Sequence, residues 1–250
     1  MSFFSSNLFA QDAPKLPSKD KFHLYLLIGQ SNMAGRGVVA KNPAPPHARV
    51  LKLDKTGKWV PATDPLHFDK PIAGVGLGSS FARTMADADP EVTIGLIPSA
   101  VGGTPLSRWV KGGDLYQQAV KRTQPALKVG VLKGILWHQG ESDSNNEMNA
   151  TTYAKRLSGM ISDLRADLKS DDAPFVAGKL GLFLPEGKGK PALWKTVNEQ
   201  LDEVARTTSK VMVVSSEGLK HKGDQVHFDT ASLEIFGRRY AEAMQKLQKK

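Results

Sequence analysis

The chain has 250 residues, 40% of them hydrophobic and 24% charged, a balance that fits a folded chain of one domain or two small ones at about 100–200 residues per domain. It contains no cysteine, which excludes disulfides, cysteine–zinc sites and thiol catalysis. No run approaches the roughly 20 apolar residues that a bilayer-crossing helix needs. Lys+Arg 34 against Asp+Glu 25 gives a net charge of +9. The lysines are scattered, with small clusters at Lys188 and Lys190, at Lys220 and Lys222, and at Lys246, Lys249 and Lys250 in the tail. No aromatic residues interleave with them, so a solvated basic surface is expected and no nucleic-acid partner.

Residues 1–20 read as a leader. The opening Met1-Ser2-Phe3-Phe4-Ser5-Ser6-Asn7-Leu8-Phe9-Ala10 has no basic residue and polar interruptions at Ser5, Ser6 and Asn7. It fits either the tail of a secretory signal cut after Ala10, which would make the protein secreted or periplasmic, or a disordered segment carrying Pro14 and Pro17. Export is the favoured reading. Residues 21–250 are expected to form a single domain.

Five short apolar runs follow in chain order: His23 to Ile28, Glu91 to Pro98, Val129 to Trp137, Phe175 to Leu180 and Lys210 to Val214. Near-continuous apolar runs of this length suit parallel strands covered on both faces. Helical spacing recurs at Tyr153, Leu157, Met160, Ile161, Leu164 and Leu168, and again at Trp194, Val197, Leu201 and Val204, with Pro191 suited to a first turn. A last helix carries Leu233, Phe236, Tyr240, Met244 and Leu247, with Asp229 or Thr230 as N-cap. Strand and helix in alternation predict an α/β fold, a three-layer α/β/α sandwich with a central parallel sheet and flavodoxin-like strand order. Ligands of such sheets bind beyond the carboxyl ends of the strands.

Chemistry-bearing residues gather at those ends. After the first run stands Gly29-Gln30-Ser31-Asn32-Met33, a strand-to-helix turn that exposes a hydroxyl. Alone, a serine there is more often an N-cap than a nucleophile. After the second comes Gly102-Gly103-Thr104, with Arg108 and Trp109 beyond it. Paired glycines let backbone N–H groups approach a ligand, though a plain turn explains them equally well. After the third come His138-Gln139-Gly140-Glu141-Ser142-Asp143. His138 and Glu141 alone make no metal site, and Asp143 onward lacks the glycine and final carboxylate of a calcium loop. Gly74 to Phe81 lacks the strand and glycine spacing of a nucleotide loop and reads as the approach to a structural helix. No metal and no cofactor are expected.

Before the last helix stands Asp224-Gln225-Val226-His227. An aspartate three residues before a histidine can hold its imidazole, and with the serine block this makes nucleophilic acyl transfer the natural chemistry. Ser31 would attack an ester carbonyl, His227 would take its proton, and Asp224 would fix the tautomer. The Ser31 N–H, a Gly102 or Gly103 N–H and the Gln139 amide would hold the oxyanion.

Taken together, these blocks resemble the SGNH (GDSL-like) hydrolase superfamily, and within it the sialate O-acetylesterase-like group that includes carbohydrate esterase family 6 acetyl xylan esterases. The resemblance runs from about Phe22 to the last helix. It implies Ser31 as nucleophile, His227 as base and Asp224 as its partner, with Gly102, Gly103 and Gln139 at oxyanion-hole positions. Gln30, Asn32 and Glu141 would support them, and Glu141 competes with Asp224 for the role of holding His227. The Gly-x-Asn-Asp block of the wider superfamily is missing, and Gln139 stands in its place. The implied function is removal of O-acetyl groups from a glycan, acetyl xylan or sialate-type. Rival readings are an esterase of other short acyl groups and a non-catalytic carbohydrate-binding protein. Trp109 and Arg108 are the expected sugar-binding residues. Trp59, Tyr116 and Trp194 are weaker candidates, Trp194 being better suited to core packing.

Overall fold

Alternating side chains of strand β1 (Phe22–Gly29) face two different hydrophobic cores, and that alternation sets the architecture. Phe22, Leu24, Leu26 and Ile28 enter one core; Tyr25 and Leu27 enter the other. A strand buried on both faces belongs in the middle of a covered sheet. The structure, a computed structural model, describes residues 14–186 and 192–249. Along the chain β1 is followed by β2 (Val50–Leu53), β3 (Trp59–Pro61), β4 (Thr93–Pro98), β5 (Val131–His138), β6 (Phe175–Gly178) and β7 (Val211–Val214). The helices are α1 (Ser31–Ala34), α2 (Leu77–Ala88), α3 (Asp114–Ala126), α4 (Glu147–Thr151), α5 (Tyr153–Asp167), α6 (Leu193–Thr207) and α7 (Thr230–Gln248).

The seven strands stand in the order β3-β2-β4-β1-β5-β6-β7. The five expected from the sequence are parallel and adjacent, β4-β1-β5-β6-β7. Counted among themselves they run 2-1-3-4-5, the flavodoxin order. Beyond them β2 pairs parallel with β4, and β3 closes that edge antiparallel to β2. Helices α2 and α7 cover the face that receives Tyr25 and Leu27, while α3, α5 and α6 cover the other.

Local sequence explains the ends of these helices. Asp229 caps α7 by accepting the Ser232 N–H at 2.7 Å, as one of the two expected caps. Helix α5 starts directly after Thr151-Thr152, and Gly76 precedes α2, so the glycine-rich stretch there is the approach to a structural helix. Pro191 and residues 1–13 lie outside the described residues. Within the expected leader, Leu16 packs on the core and Lys19–Lys21 forms a short 3-10 turn, so ordered packing begins ahead of the boundary drawn at residue 21.

Candidate active site

Four segments beyond the carboxyl ends of β1, β4, β5 and β7 converge. The first is the turn from β1 into α1. Gln30 donates its N–H to the His138 carbonyl at 2.9 Å, tying this turn to the end of β5. Gly29, at φ +131°, is required there: a Cβ would lie 2.2 Å from the His138 carbonyl oxygen. Ser31 is thereby placed as the first residue of α1, buried at the floor of a cleft of about 670 Å³.

The loop from residue 220 to 229 folds back on itself, with the Lys222 N–H on the His227 carbonyl and the Asp229 N–H on the Lys220 carbonyl. It presents His227 to the cleft. His227 Nε2 lies 3.0 Å from Ser31 Oγ, and Nδ1 lies 2.7 Å from Asp224 Oδ2. The other carboxylate oxygen, Oδ1, accepts the backbone N–H groups of Val226 and His227 at 3.0 and 2.8 Å. Burial alone would raise the Asp224 carboxyl. The hydrogen bonds from the His227 N–H, its ring and the Val226 N–H outweigh it and hold the group well below the usual carboxylate range. A carboxylate that stays ionised fixes the proton on Nδ1 and leaves Nε2 free to accept one from serine.

Glu141 has a different partner. Asn32 Nδ2 donates to its Oε1 at 2.5 Å, and His138 Nε2 lies 3.7 Å from the same oxygen, beyond hydrogen-bond reach. Burial pushes the Glu141 carboxyl up, but the adjacent His138 ring and the Asn32 amide more than offset this, and it lies below its ordinary value. The competition between Glu141 and Asp224 is therefore resolved by geometry: Asp224 holds His227, and Glu141 holds Asn32. Asn32 in turn donates to the Val226 carbonyl at 3.1 Å and accepts the Phe228 N–H at 3.1 Å, so it grips the histidine loop on both sides of His227.

Four expectations need correction. Gln139 is fully buried, and its amide nitrogen is taken by Gln30 Oε1, the Thr104 carbonyl and Asp143 Oδ2 at 3.1, 3.0 and 2.7 Å. It braces the loops beneath the cleft and has no donor left for an oxyanion. The Gly102 N–H is likewise committed, donating to Asp69 Oδ2 at 2.9 Å. The amides of Ser31 and Gly103 border the cleft without a protein partner among the described residues, and Gly103 sits at φ +76°, a conformation glycine adopts without penalty. These two amides remain free to meet a ligand in the cleft.

Trp109 does not stack on a ligand. It is 1% exposed, its indole N–H donates to Thr104 Oγ1 at 3.0 Å, and its ring meets Trp137 edge-on. Arg108 is exposed and engaged by Asp114, away from the cleft-lining residues. Of the weaker candidates, Trp59 packs on Phe22 and Tyr116 is buried with its hydroxyl on Asp167. Trp194, although mostly buried on α6, lines the cleft beside Leu184 and Leu193. The sequence named Asp143 only as part of its block and not as a brace, buried between the Leu106 N–H at 2.8 Å and Arg156 at 2.9 Å, and it did not point to the ion pair of Arg36 with Asp69 at 2.7 Å. Arg36 stands three residues after Met33, the end of the serine block, which was the one available signal; nothing in the sequence links it to residue 69.

Residues 21–246 match the family model described as carbohydrate esterase, sialic acid-specific acetylesterase. A probable carbohydrate esterase of Arabidopsis thaliana is 32% identical over 254 residues, covering 93% of this chain and 94% of that protein. Its X-ray structure superposes with a TM-score of 0.80 at 31% identity, covering 90% of this chain and 98% of the other. The crystal structure of NanS shares the fold, with a TM-score of 0.75 at 19% identity over 94% of this chain and 99% of NanS. A carbohydrate acetylesterase from Xanthomonas citri does so too, with a TM-score of 0.72 at 22% identity over 90% of this chain and 56% of that one. The chain belongs to the sialic acid-specific acetylesterase family of carbohydrate esterases.

Proposed function

We propose that the protein is a serine esterase that removes O-acetyl groups from a glycan through an acetyl-serine intermediate. The observation that carries this is the unbroken chain Ser31 Oγ, His227 Nε2, His227 Nδ1, Asp224 Oδ2, with links of 3.0 and 2.7 Å. Ser31 Oγ attacks the acetyl carbonyl carbon while His227 Nε2 accepts its proton. The imidazolium is stabilised by Asp224, and the oxyanion is held by the Ser31 and Gly103 N–H groups. Collapse expels the sugar oxygen, which takes the proton from His227. Water then attacks the acetyl-serine, His227 again acting as base, and acetate leaves. The cleft that holds Ser31 also holds Lys70, Glu141 and Trp194, a mix of cationic, anionic and aromatic groups suited to a polar sugar.

Acetate release from a panel of acetylated glycans, alongside butyryl and longer esters, tests this reading. Ser31→Ala is expected to abolish release, and rapid quenching of the parent should trap one acetyl group on Ser31. Hydrolysis unchanged in Ser31→Ala would overturn the assignment, and a preference for longer acyl chains would overturn the substrate class.

A further inference from the structure

The loop that carries Gly103 is tied to the end of β1 by the Val101 N–H on the Gly29 carbonyl and to β5 by Gln139 on the Thr104 carbonyl, and next to Gly103 itself it is held by a buried carboxylate. Gly102 gives its N–H to Asp69 Oδ2 at 2.9 Å, and the Arg36 guanidinium donates to the same oxygen at 2.7 Å. Arg36 also donates to the Gly35 carbonyl at 2.7 Å, so the segment following Ser31 and the segment following β4 meet on one carboxylate. Both side chains of the pair are buried, at 2% and 0% exposure. There is no slack in the joint. A Cβ at residue 102 would fall 2.3 Å from Arg36 Nη2, 3.1 Å from Asp69 Oδ2 and 3.4 Å from the Ser31 Cβ.

Asp69 Oδ1 points elsewhere. It is buried with no hydrogen-bond partner among the described residues, and Asp69 borders a cavity of about 220 Å³ that His67, Ser99 and Arg122 also line. A carboxylate buried this way is costly unless paired, and an unpaired one beside the serine would oppose the negative charge that develops on the substrate oxygen. Arg36 removes that opposition. What remains of Asp69 is a fixed acceptor for one amide, immediately before the glycine whose N–H is needed for the oxyanion.

We propose that Asp69 is the positioning residue of the oxyanion hole: it anchors Gly102 through its amide and so aims the Gly103 N–H at the oxyanion formed on attack by Ser31. This rests on the serine-esterase reading above. Asp69 touches no reacting atom, so its contribution should appear in kcat and leave substrate binding alone. Asp69→Ala removes the acceptor, whereas Asp69→Asn keeps a carbonyl oxygen for the Gly102 N–H and turns its amide nitrogen toward the cavity.

The test is steady-state acetate release by the parent and both variants. Removing an oxyanion donor outright costs about 10²–10³ in kcat, so a misaimed one in Asp69→Ala is expected to cost about 10- to 100-fold with KM within about threefold. Asp69→Asn should recover to within about fivefold of the parent, by keeping the acceptor. Should Asp69→Ala not fold, Gly102→Ala takes its place, since the added Cβ wedges the joint apart and should give the same loss in kcat. An unchanged kcat in the folded variant, a loss expressed in KM, or an Asp69→Asn enzyme no better than Asp69→Ala would each overturn the inference. A parent that releases no acetate would overturn the esterase reading and this one with it; an active parent with an unaffected Asp69→Ala overturns this one alone.

Discussion

Asn32 Nδ2 lies 2.5 Å from Glu141 Oε1, and through this contact a residue next to the nucleophile is locked to the end of β5. The same side chain holds the Val226 carbonyl and the Phe228 N–H. It thus links three of the four segments that build the site. Asn32→Ala would leave a buried carboxylate without its donor and a buried N–H without its acceptor. Each orphaned group costs about 1–3 kcal/mol, so a lower denaturation midpoint is expected. A fall in kcat should accompany it as the His227 loop loosens. Chemical denaturation and acetate-release kinetics on the same preparation check both.

Asp224 bears on the pH dependence. Its carboxyl sits well below the ordinary value in the folded protein, so the unfolded chain takes up a proton at a pH where the folded protein does not. The stabilisation it gives is complete above the ordinary carboxylate value of about 4 and disappears as pH falls through the lower, folded value. Across the working range it stays charged, and the acid side of the rate profile should therefore carry no ionisation of this carboxylate. Asp224→Asn keeps the shape but loses the charge that fixes the tautomer, and kcat should fall by roughly 10²–10⁴-fold. A pH–rate profile with two acid-side ionisations would count against this assignment.

A second pH effect is confined to stability. His67 is 3% exposed, with both ring nitrogens lacking a hydrogen-bond partner among the described residues, and burial pushes it down to about 4 from its ordinary 6.5. The unfolded chain binds a proton there before the folded protein does, so stability should decline as pH drops from about 6.5 to about 4, by a total on the order of 3 kcal/mol. His67→Gln should flatten that decline. Unfolding in denaturant at pH 7 and pH 4.5, for the parent and the variant, measures it; equal slopes would refute it.

Trp109 offers a direct check on the corrected role. Trp109→Phe deletes the N–H on Thr104 and part of the edge contact with Trp137. Loss of a buried hydrogen bond and some packing predicts about 1–3 kcal/mol of destabilisation. KM for an acetylated glycan should hold steady, because the ring is sealed away from the cleft. A raised KM with unchanged stability would restore the sugar-stacking role.

The parts legible in the sequence were those whose signal is local and apolar. The five parallel strands each carry a run buried on both faces, and α5, α6 and α7 each carry a clear apolar stripe. Strands β2 and β3 were not legible. Val50–Leu53 is four residues long, and Trp59–Pro61 is a three-residue edge, half-buried and ending in proline. Helix α3 carries a mostly polar sequence with Pro125 in its last turn, which masks its buried residues Leu115, Tyr116 and Ala119. In the site, Ser31, His227 and Asp224 stood out because their residue types and spacing have a chemical meaning. Gln139 and Gly102 misled for the opposite reason: whether a donor is free depends on its neighbours, Asp143 and Asp69, and neither pairing leaves a trace in local sequence.

Ser31 and His227 are 196 residues apart along the chain, one leaving the first strand and the other leading into the last helix. A polypeptide emerging from a ribosome lacks this histidine until 196 residues have followed Ser31, so the serine stays without its partner through that stretch of synthesis. The return of hydrolytic activity after denaturation should accordingly trail the recovery of helical signal, reporting the docking of the segment that carries His227 where bulk spectroscopy reports only the bulk.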